Sequence, residues 1–556
     1  MSRKLTVRST PDSLKKEAKR WLKALQAGDA MARRRLLAVT PEAPAEPGLR
    51  DVQLALAREY GLPGWAVVSQ ALKDARRSHA ERVELVLRSA DWAGDHAGGA
   101  RLLTRWPEIG RDSLHAAAAT GNVAEVARRL AADPAAANRK GGPLDREPLL
   151  YLAYSRLPGS ETRSVEIARL LLDHGADPNA RWIGPWGEPA FTALTGPIGE
   201  GEGIQPPHPQ ARELAALLIE RGADPFDPQA LYNTSITEDD TGWLEFLWTR
   251  SERQGRLDAW RAETGVLVAG NVLDYLLGNA TANNHLRRAE WLLAHGADPN
   301  SLHAYSKRPQ REEALIHGHV VMATLLEGAG AERTTLEGLS AFQAACMSLD
   351  RPAARAIAAD QPDCLRDPKP MLAAARGGRA DVVSLLLELG VDVDVADEIG
   401  QRGIQAAVAG GSLAVVELLV ARGADIDRPT TSVGDGAMGY AAHFDRREIA
   451  AFLAPLSRDV HNLTYLGFQA RLAHLFDGDP GLVNARHRMG YTPLFALPPN
   501  EDDAMEMAAF LLDRGADPEI RDAAGGLTAE EGFRKRGMIE LADFLRERQA
   551  RRSGPP

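Results

Sequence analysis

The side chains that could carry out chemistry lie far apart in this sequence. His317 and His319 are separated by one residue and could bind a metal ion, but two ligands without a visible third make a weak site. Cys346 and Cys364 are the two cysteines of the chain, and their separation of 18 residues fits no thiol motif. We therefore expect both thiols to be small core residues, and we predict no catalytic residue and no metal site.

The glycine-rich run 199–203 does not have the features of a nucleotide site. A dinucleotide fingerprint follows a β-strand, and Glu200 and Glu202 would repel a pyrophosphate. The sequence also lacks a phosphate loop, a His-Glu-x-x-His zinc helix and a Gly-x-Ser-x-Gly nucleophile elbow. We predict that the protein is not an enzyme and holds no cofactor.

The composition favours a folded chain with many turns. The 556 residues are 44% hydrophobic, 26% charged and 6% aromatic, with 51 glycines and 34 prolines, so Ala, Leu and Val must fill the core. The formal charge of −10 argues against nucleic acid as the partner of the whole chain. The N-terminus has no apolar signal-peptide core, and the longest uncharged apolar run, 264–273, is too short to span a membrane. We expect a cytoplasmic protein.

An internal repeat determines which elements position these residues. The tetrad Gly-Ala-Asp-Pro begins at Gly175, Gly222, Gly296 and Gly515, with variants at Gly330, Gly390 and Gly423. The two clearest units, 371–390 and 405–423, are offset by 33 residues. Each predicts an Ala-rich helix, a glycine turn and a second helix with one apolar stripe. The stripes are Val383, Leu386 and Leu387 in one unit, and Val416, Leu419 and Val420 in the next.

The aspartates that follow the repeat glycines are explained by the turn and not by catalysis. We expect them to accept hydrogen bonds from nearby turn amides, because one active site would need one such residue and not several. These aspartates are Asp177, Asp224, Asp298 and Asp517.

Two further motifs identify the repeat. Residues 114–121 read Leu-His-Ala-Ala-Ala-Ala-Thr-Gly, and residues 490–494 read Gly-Tyr-Thr-Pro-Leu. Together with the Gly-Ala-Asp turns, they resemble ankyrin repeats. The resemblance implies an all-α fold, an ankyrin-repeat solenoid of about 12–13 helix-turn-helix units, several of them degenerate. It also implies that His115 makes a structural hydrogen bond between neighbouring turns.

The segment before the array has a different pattern. Leu14, Ala18, Trp21, Leu22 and Leu25 form one apolar helix face. Residues 56–65 resemble part of a small helical module that often precedes bacterial ankyrin arrays. We therefore predict an N-terminal helical module at 1–78, a half-repeat or capping helices at 79–110, the array at 111–548 and a disordered tail at 549–556.

The N-terminus is also the one notable basic region. Residues 1–40 contain 11 Lys or Arg and 3 Asp or Glu. Such a face could bind nucleic acid or an anionic surface. The alternative, which we favour, is a solvated face that caps the solenoid.

The array is interrupted by an insertion at about 181–209, which carries Trp182, Trp186 and Phe191. Insertions of repeat proteins collect on one face and often bind partners. Tyr151 and Tyr154 lie in the neighbouring unit and could complete one patch of partner-binding residues. Alternatively, the tryptophans pack against neighbouring repeats and the rest is a flexible bridge.

These observations favour a non-catalytic, monomeric, intracellular protein–protein interaction scaffold. Its partner, another protein, would bind the concave face and the loop tips of the solenoid. One alternative is a nucleic-acid or anionic-surface adaptor that uses the basic N-terminal module. Another is a small-molecule or catalytic site in the divergent middle repeats, 185–304.

Overall fold

The computed structural model describes residue 3 and residues 11–184, 187–201, 205–262, 270–431, 435–536 and 538–552. The chain is mostly helical, about 60%. Its contacts form two compact units, Met1–Lys307 and Arg308–Pro556, called unit 1 and unit 2. None of the described helices combines the length and the apolar run that a bilayer crossing requires.

Unit 1 begins with four helices that enclose a small core of their own. Leu14, Ala18 and Trp21 are buried on one face of the first helix, as the sequence predicted. The guanidinium of Arg35 lies 3.8 Å above the Trp21 ring. These helices are α1 Pro11–Gln26, α2 Ala30–Val39, α3 Leu49–Glu59 and α4 Trp65–Arg76.

The rest of unit 1 consists mainly of short helices that pack in consecutive pairs. Its helices are α5 His79–Ala90, α6 His96–Arg105, α7 Leu114–Ala119, α8 Val123–Ala132, α9 Pro148–Tyr154, α10 Ser164–Asp173, α11 Thr195–Ile198, α12 Ala211–Glu220, α13 Pro228–Asn233, α14 Gly242–Arg253, α15 Leu257–Arg261, α16 Val272–Ala282 and α17 Leu286–Ala294. Short 3₁₀ turns occupy Pro107–Arg111, Pro134–Asn138 and Glu161–Arg163. The strands β1 Arg181–Gly184 and β2 Gly187–Thr192 pair antiparallel.

Unit 2 repeats the same pattern of paired helices. They are α18 Gln310–Ile316, α19 Val320–Gly328, α20 Gly338–Met347, α21 Arg351–Asp360, α22 Lys369–Arg376, α23 Ala380–Leu389, α24 Gly403–Gly410, α25 Leu413–Ala421, α26 Ala437–His443, α27 Arg447–Leu453, α28 Val460–Tyr465, α29 Gln469–Gly478, α30 Glu501–Asp513, α31 Ala529–Lys535 and α32 Ile539–Arg552. Its 3₁₀ turns are Pro362–Leu365, Pro480–Asn484 and Pro493–Phe495.

The pairs α22–α23 and α24–α25 show why this sequence folds so. Gly378 and Gly411 each stand after a first helix with a positive φ, of 69° and 81°, which reverses the chain at little steric cost. The second helices then bury the predicted stripes. Val383, Leu386, Val416 and Leu419 are fully buried, and Leu387 and Val420 are half-buried.

Asparagine side chains connect consecutive turns. Asn179 donates from its amide to the Gly222 carbonyl at 2.9 Å and accepts from the Asp224 amide at 2.9 Å. The same clasp joins Asn138 to Gly175 and Asp177, and Asn484 to Gly515 and Asp517, at 2.6–3.1 Å. Each clasp satisfies a backbone carbonyl and an amide that a helix end leaves without a partner.

The aspartates after the repeat glycines have the predicted structural role. Asp177, Asp224, Asp298 and Asp517 each accept a hydrogen bond from the backbone amide two residues later, at 2.8–3.0 Å. They act as local turn acceptors.

Extended loops, called fingers here, connect the second helix of many units to the first helix of the next. Residues 139–147, 181–192, 390–402 and 485–492 form such fingers, each with paired backbone. Several other junctions connect the helices without a finger, among them 221–227 in unit 1 and 454–459 in unit 2.

The predicted insertion is only partly a loop. Its first half is the hairpin β1–β2, which is the finger of its unit, and α11 follows as a first helix. The true interruption is therefore shorter than 181–209, and it begins where α11 ends at Ile198.

Candidate functional site

The hairpin β1–β2 carries one side of an aromatic cluster formed by Trp92, Tyr154, Trp182 and Phe191. Trp182 and Phe191 are cross-strand partners, and their rings stack with centroids 4.5 Å apart. Trp92 meets Tyr154 edge-on at 4.8 Å and Phe191 at 5.7 Å, while Tyr154 meets Trp182 at 6.1 Å. The cluster therefore fixes the hairpin on the helices beneath it.

Arg146, on the preceding finger, connects this cluster to the loop between α5 and α6, which contains Asp91. Its guanidinium lies 3.9 Å from the Trp182 ring centroid. It also donates to an Asp91 carboxylate oxygen at 2.8 Å, and the two side chains are only 8% and 18% exposed. Burial raises the pKa of Asp91, and the nearby Arg146 charge opposes that rise.

The five predicted partner-binding residues lie in different environments. Tyr154, Trp182 and Phe191 come together in the aromatic cluster, whereas Tyr151 lies on the same helix outside it. Trp186 lies outside the described residues. Trp182 packs against Arg146 of the neighbouring unit, as one of the two interpretations of the insertion anticipated.

Tyr151 and Tyr154 are buried, at 3% and 1% exposure, and offer almost no surface to a partner. The Tyr154 hydroxyl donates to the Thr192 carbonyl at 2.8 Å, and that of Tyr151 donates to the Gly141 carbonyl at 3.0 Å. Both hydroxyls thus support fingers. Both tyrosines are buried because all seven residues of α9 are buried. The sequence of this helix contains no charged residue that would need to face solvent.

Ile183 is a residue that the sequence reasoning missed. It follows Trp182 on β1, and it is 51% exposed. The strand pairing is irregular between Trp182 and Gly184, so Ile183 stands at a local break in the ladder.

Two residues anchor the interruption that follows α11. Arg156 donates to the carbonyls of Pro206 and Gly196 at 2.8 and 2.6 Å. His208 is buried, lies 3.1 Å from the Ser164 hydroxyl and accepts from the Gln210 amide at 2.9 Å. Burial, with the nearby Arg156 charge, lowers the pKa of His208 to about 3. The described end of the interruption is therefore packed and not a free bridge.

A cleft of about 430 Å³ lies between β2 and the fingerless junction 221–227. Its apolar lining includes Pro178, Pro189, Leu194, Phe226 and Pro228. Its polar lining includes Arg181, Glu188, Asp224 and Asp227.

At the fingerless junction 454–459, the finger 485–492 touches the finger that precedes α26 and contains Asp435. Nε2 of His487 lies 3.0 Å from an Asp435 carboxylate oxygen, and both side chains are mostly buried. The His487 ring stacks on Tyr491 at 4.5 Å. This contact bridges the two fingers on either side of that junction.

The histidine pair and the two cysteines that the sequence singled out are held by contacts within the fold. His317 lies 3.2 Å from the Glu313 carboxylate, and its ring is 5.7 Å from that of His319. Across the part of the chain that the structure describes, no three His, Cys, Asp or Glu side chains come together to hold a metal ion. Both cysteines are buried, and burial raises the pKa of Cys346 to about 12.

Family models match two parts of the chain. A model described as ankyrin repeats, in three copies, matches residues 370–464, and a model described as ankyrin repeat matches residues 148–182. The chain is an ankyrin-repeat protein. The recurring turns and the paired helices are thus the ankyrin units that the sequence indicated.

Among solved structures, one similar chain comes from the complex of a predatory endopeptidase from Bdellovibrio bacteriovorus with an immunity protein. It is 20% identical, covers 32% of the ankyrin protein and 96% of its own length, and has a TM-score of 0.26. A search among curated proteins found no match.

The ankyrin motif histidines have the role that the resemblance implied. His115 lies 2.9 Å from the Arg139 carbonyl, and His461 lies 3.0 Å from the Ala485 carbonyl. Each contact joins the start of a first helix to the base of the following finger, and burial lowers the pKa of both histidines.

Proposed function

We propose that this ankyrin-repeat protein is a non-catalytic scaffold that binds another protein through its fingers and the concave groove beside them. Ankyrin repeats are typically protein–protein interaction modules. The observation that carries the proposal is the hairpin β1–β2, which presents Ile183 to solvent on a support held by Arg146 and the aromatic cluster. An apolar side chain on a supported strand loses little conformational entropy when a partner binds.

The residues of the hairpin have distinct parts in this proposal. Trp182, Trp186 and Phe191 form the proposed partner-binding surface together with Ile183. Tyr151 and Tyr154 contribute from beneath, since their burial leaves them to position the fingers. We further propose a monomer that acts in the cytoplasm, and a bacterial source, which the resemblance of residues 56–65 implies.

The proposal is tested by capture of binding proteins on the immobilised full chain. Ile183→Asp is the test variant, and Val321→Asp is the matched control, because Val321 is 65% exposed on α19 of unit 2. We expect Ile183→Asp to weaken capture of the main partner about tenfold or more. Equal capture by both variants, or no partner at all, would contradict the proposal.

A second candidate function rests on α1. Lys16, Lys19, Arg20 and Lys23 are all exposed on this helix, which would suit an anionic surface or nucleic acid. Binding of the full chain to vesicles with anionic lipid and to duplex DNA, compared with Lys16→Glu/Lys19→Glu, tests it. Binding that is absent, or that does not change with salt, would eliminate this candidate.

A further inference from the structure

We propose that the cleft beside the junction 221–227 receives a positively charged side chain, Arg or Lys, from an extended segment of the protein partner. This inference rests on the proposed function, because it assigns a chemistry to the partner of the finger surface. The cleft exists because the unit that begins at α13 has no finger, so that β2 is flanked by a short junction.

The walls of the cleft suit the aliphatic part of such a side chain. Pro189 on β2 and Leu194 face the cleft from one side, and Phe226 and Pro228 face it from the other. Arg and Lys bury their methylene stems along apolar surface while the charged end reaches a polar group. The ring of Phe226 also offers a face for a cation.

The charged end would meet Asp227. This residue is 3% exposed yet lines the cleft, and it accepts hydrogen bonds from the Thr195 hydroxyl and the Ala230 amide, each at 3.0 Å. Thr192 also donates to it, at 2.5 Å. Within the described ranges, no Lys, Arg or His forms an ion pair with Asp227, so its carboxylate is buried with neutral donors alone. A cation from a partner would compensate part of the desolvation of that charge.

The rim of the cleft adds two carboxylates, Glu188 and Asp224, and one guanidinium, Arg181. Glu188 lies 3.8 Å from Arg181 and is 53% exposed, and Asp224 pairs with Arg256. Both carboxylates line the cleft. Together with Asp227, the lining holds three carboxylates and one guanidinium, which favours a basic partner segment over an acidic one.

The wider surroundings favour the same sign of partner. Residues 177–245, which build the cleft and its neighbours, contain 3 Arg, no Lys and 12 Asp or Glu. Such a local excess of one charge steers oppositely charged segments and raises their association rate. Residues 422–492, around the junction 454–459, contain 8 of each sign.

The test uses a fluorescein-labelled octapeptide of alternating Arg and Ala, and a matched peptide with citrulline in place of Arg. Fluorescence anisotropy measures their binding to the full chain and to the variants Asp227→Asn and Glu188→Gln. The control variant is Asp459→Asn, because Asp459 caps α28 at the fingerless junction 454–459 as Asp227 caps α13. Both Asn variants retain an oxygen that can cap the helix.

We expect the Arg peptide to bind and the citrulline peptide to bind about tenfold more weakly or not at all. Asp227→Asn should weaken binding about tenfold, Glu188→Gln about threefold, and Asp459→Asn should leave it unchanged. Absence of Arg-peptide binding, or equal binding by all variants, would overturn the inference. Equal binding would indicate a general attraction to the acidic body of the chain.

Two measurements keep the outcomes distinct. If Asp227→Asn lowers the melting temperature, Glu188→Gln decides, because its half-exposed side chain has no part in the core. A natural partner that binds wild type and Asp227→Asn equally, but not Ile183→Asp, would overturn this inference and leave the scaffold function standing.

Discussion

The junction 221–227 in unit 1 and the junction 454–459 in unit 2 both lead from a second helix to the next first helix without a finger. Their local structures agree, since Asp227 accepts from the Ala230 amide and Asp459 from the Asn462 amide, each at 3.0 Å. Their surroundings differ. A cleft of about 430 Å³ lies beside the first junction, whereas the fingers around the second are bridged by His487 and Asp435.

The two junctions show that the Asp cap is present in both repeats, whereas the finger is dispensable. The Asp cap is needed in both places because the first helix must begin there. The finger is not needed for the helices to pair, and its loss is either compensated by a neighbouring finger or left as a recess. We infer that a recess in an acidic neighbourhood is where a partner gains most, and that a bridged gap with balanced charge serves stability.

The largest expected effect is on the support of the hairpin, whose strand β2 forms one wall of the recess. Arg146→Ala removes a mostly buried cation from Asp91 and from the Trp182 ring. We expect the free energy of unfolding of unit 1 to fall by about 3 kcal/mol, because Asp91 would remain buried without its partner. Chemical denaturation followed by tryptophan fluorescence measures it. Arg163→Ala, which removes an exposed pair with Glu166, is the control and should change stability by less than about 0.5 kcal/mol.

The second prediction concerns the pH dependence of the free energy of unfolding, which His208 causes in the repeat before the recess. The pKa of His208 is about 3 in the folded chain and about 6.5 when unfolded, so the unfolded state binds more protons between these values. Its contribution to stability is complete above pH 6.5 and decreases by about 1.4 kcal/mol for each pH unit below it. At pH 5, wild type should lose about 2 kcal/mol more than His208→Gln, relative to pH 7. Parallel pH profiles of the two proteins would contradict this assignment.

The third prediction concerns the bridge of unit 2. A double-mutant cycle with His487→Ala and Asp435→Ala should give a coupling energy of about 1 kcal/mol, because the pair is mostly shielded from solvent. Urea denaturation of the wild type, both single variants and the double variant provides the four values. Additive losses would show that the two fingers do not support each other.

The smallest effect on stability is expected at the hairpin tip. Ile183→Ser exchanges a half-exposed side chain and should change the free energy of unfolding by less than about 0.5 kcal/mol. Thermal denaturation checks this. A loss as large as that of Arg146→Ala would place Ile183 in the support and not in the binding surface.

The sequence was most informative where the signal is local. The stripe that includes Val383 and Leu386 has a helical spacing, and the structure buries it as predicted. The family and the helical fold class follow from the same recurring pattern. The burial of α9 was also available, because a run of seven residues without a charge has no polar face to expose.

Contacts between distant residues could not be obtained in this way. Arg146 and Asp91 are 55 residues apart, and neither belongs to a recurring motif. The sequence predicted a loop where the hairpin lies, because its strands are short. An isolated hairpin of this length is only marginally stable, and the contacts with Arg146 and Tyr154 that support it come from distant residues. The cleft results from a missing finger. Its walls come from two consecutive repeats of unit 1, and the spacing of residues along the sequence does not show that they enclose a cleft.

The asparagine clasps have a consequence for how such a chain changes over generations. In these clasps, the side chains of Asn138, Asn179 and Asn484 form hydrogen bonds to backbone atoms of the turn that follows. The clasp therefore does not depend on the side chains of that turn. A duplicated unit would therefore bring its own coupling and would meet a compatible neighbour at either end. Gene segments of this kind can be copied or lost while the register is retained, so the array can lengthen, shorten or discard a finger and still fold.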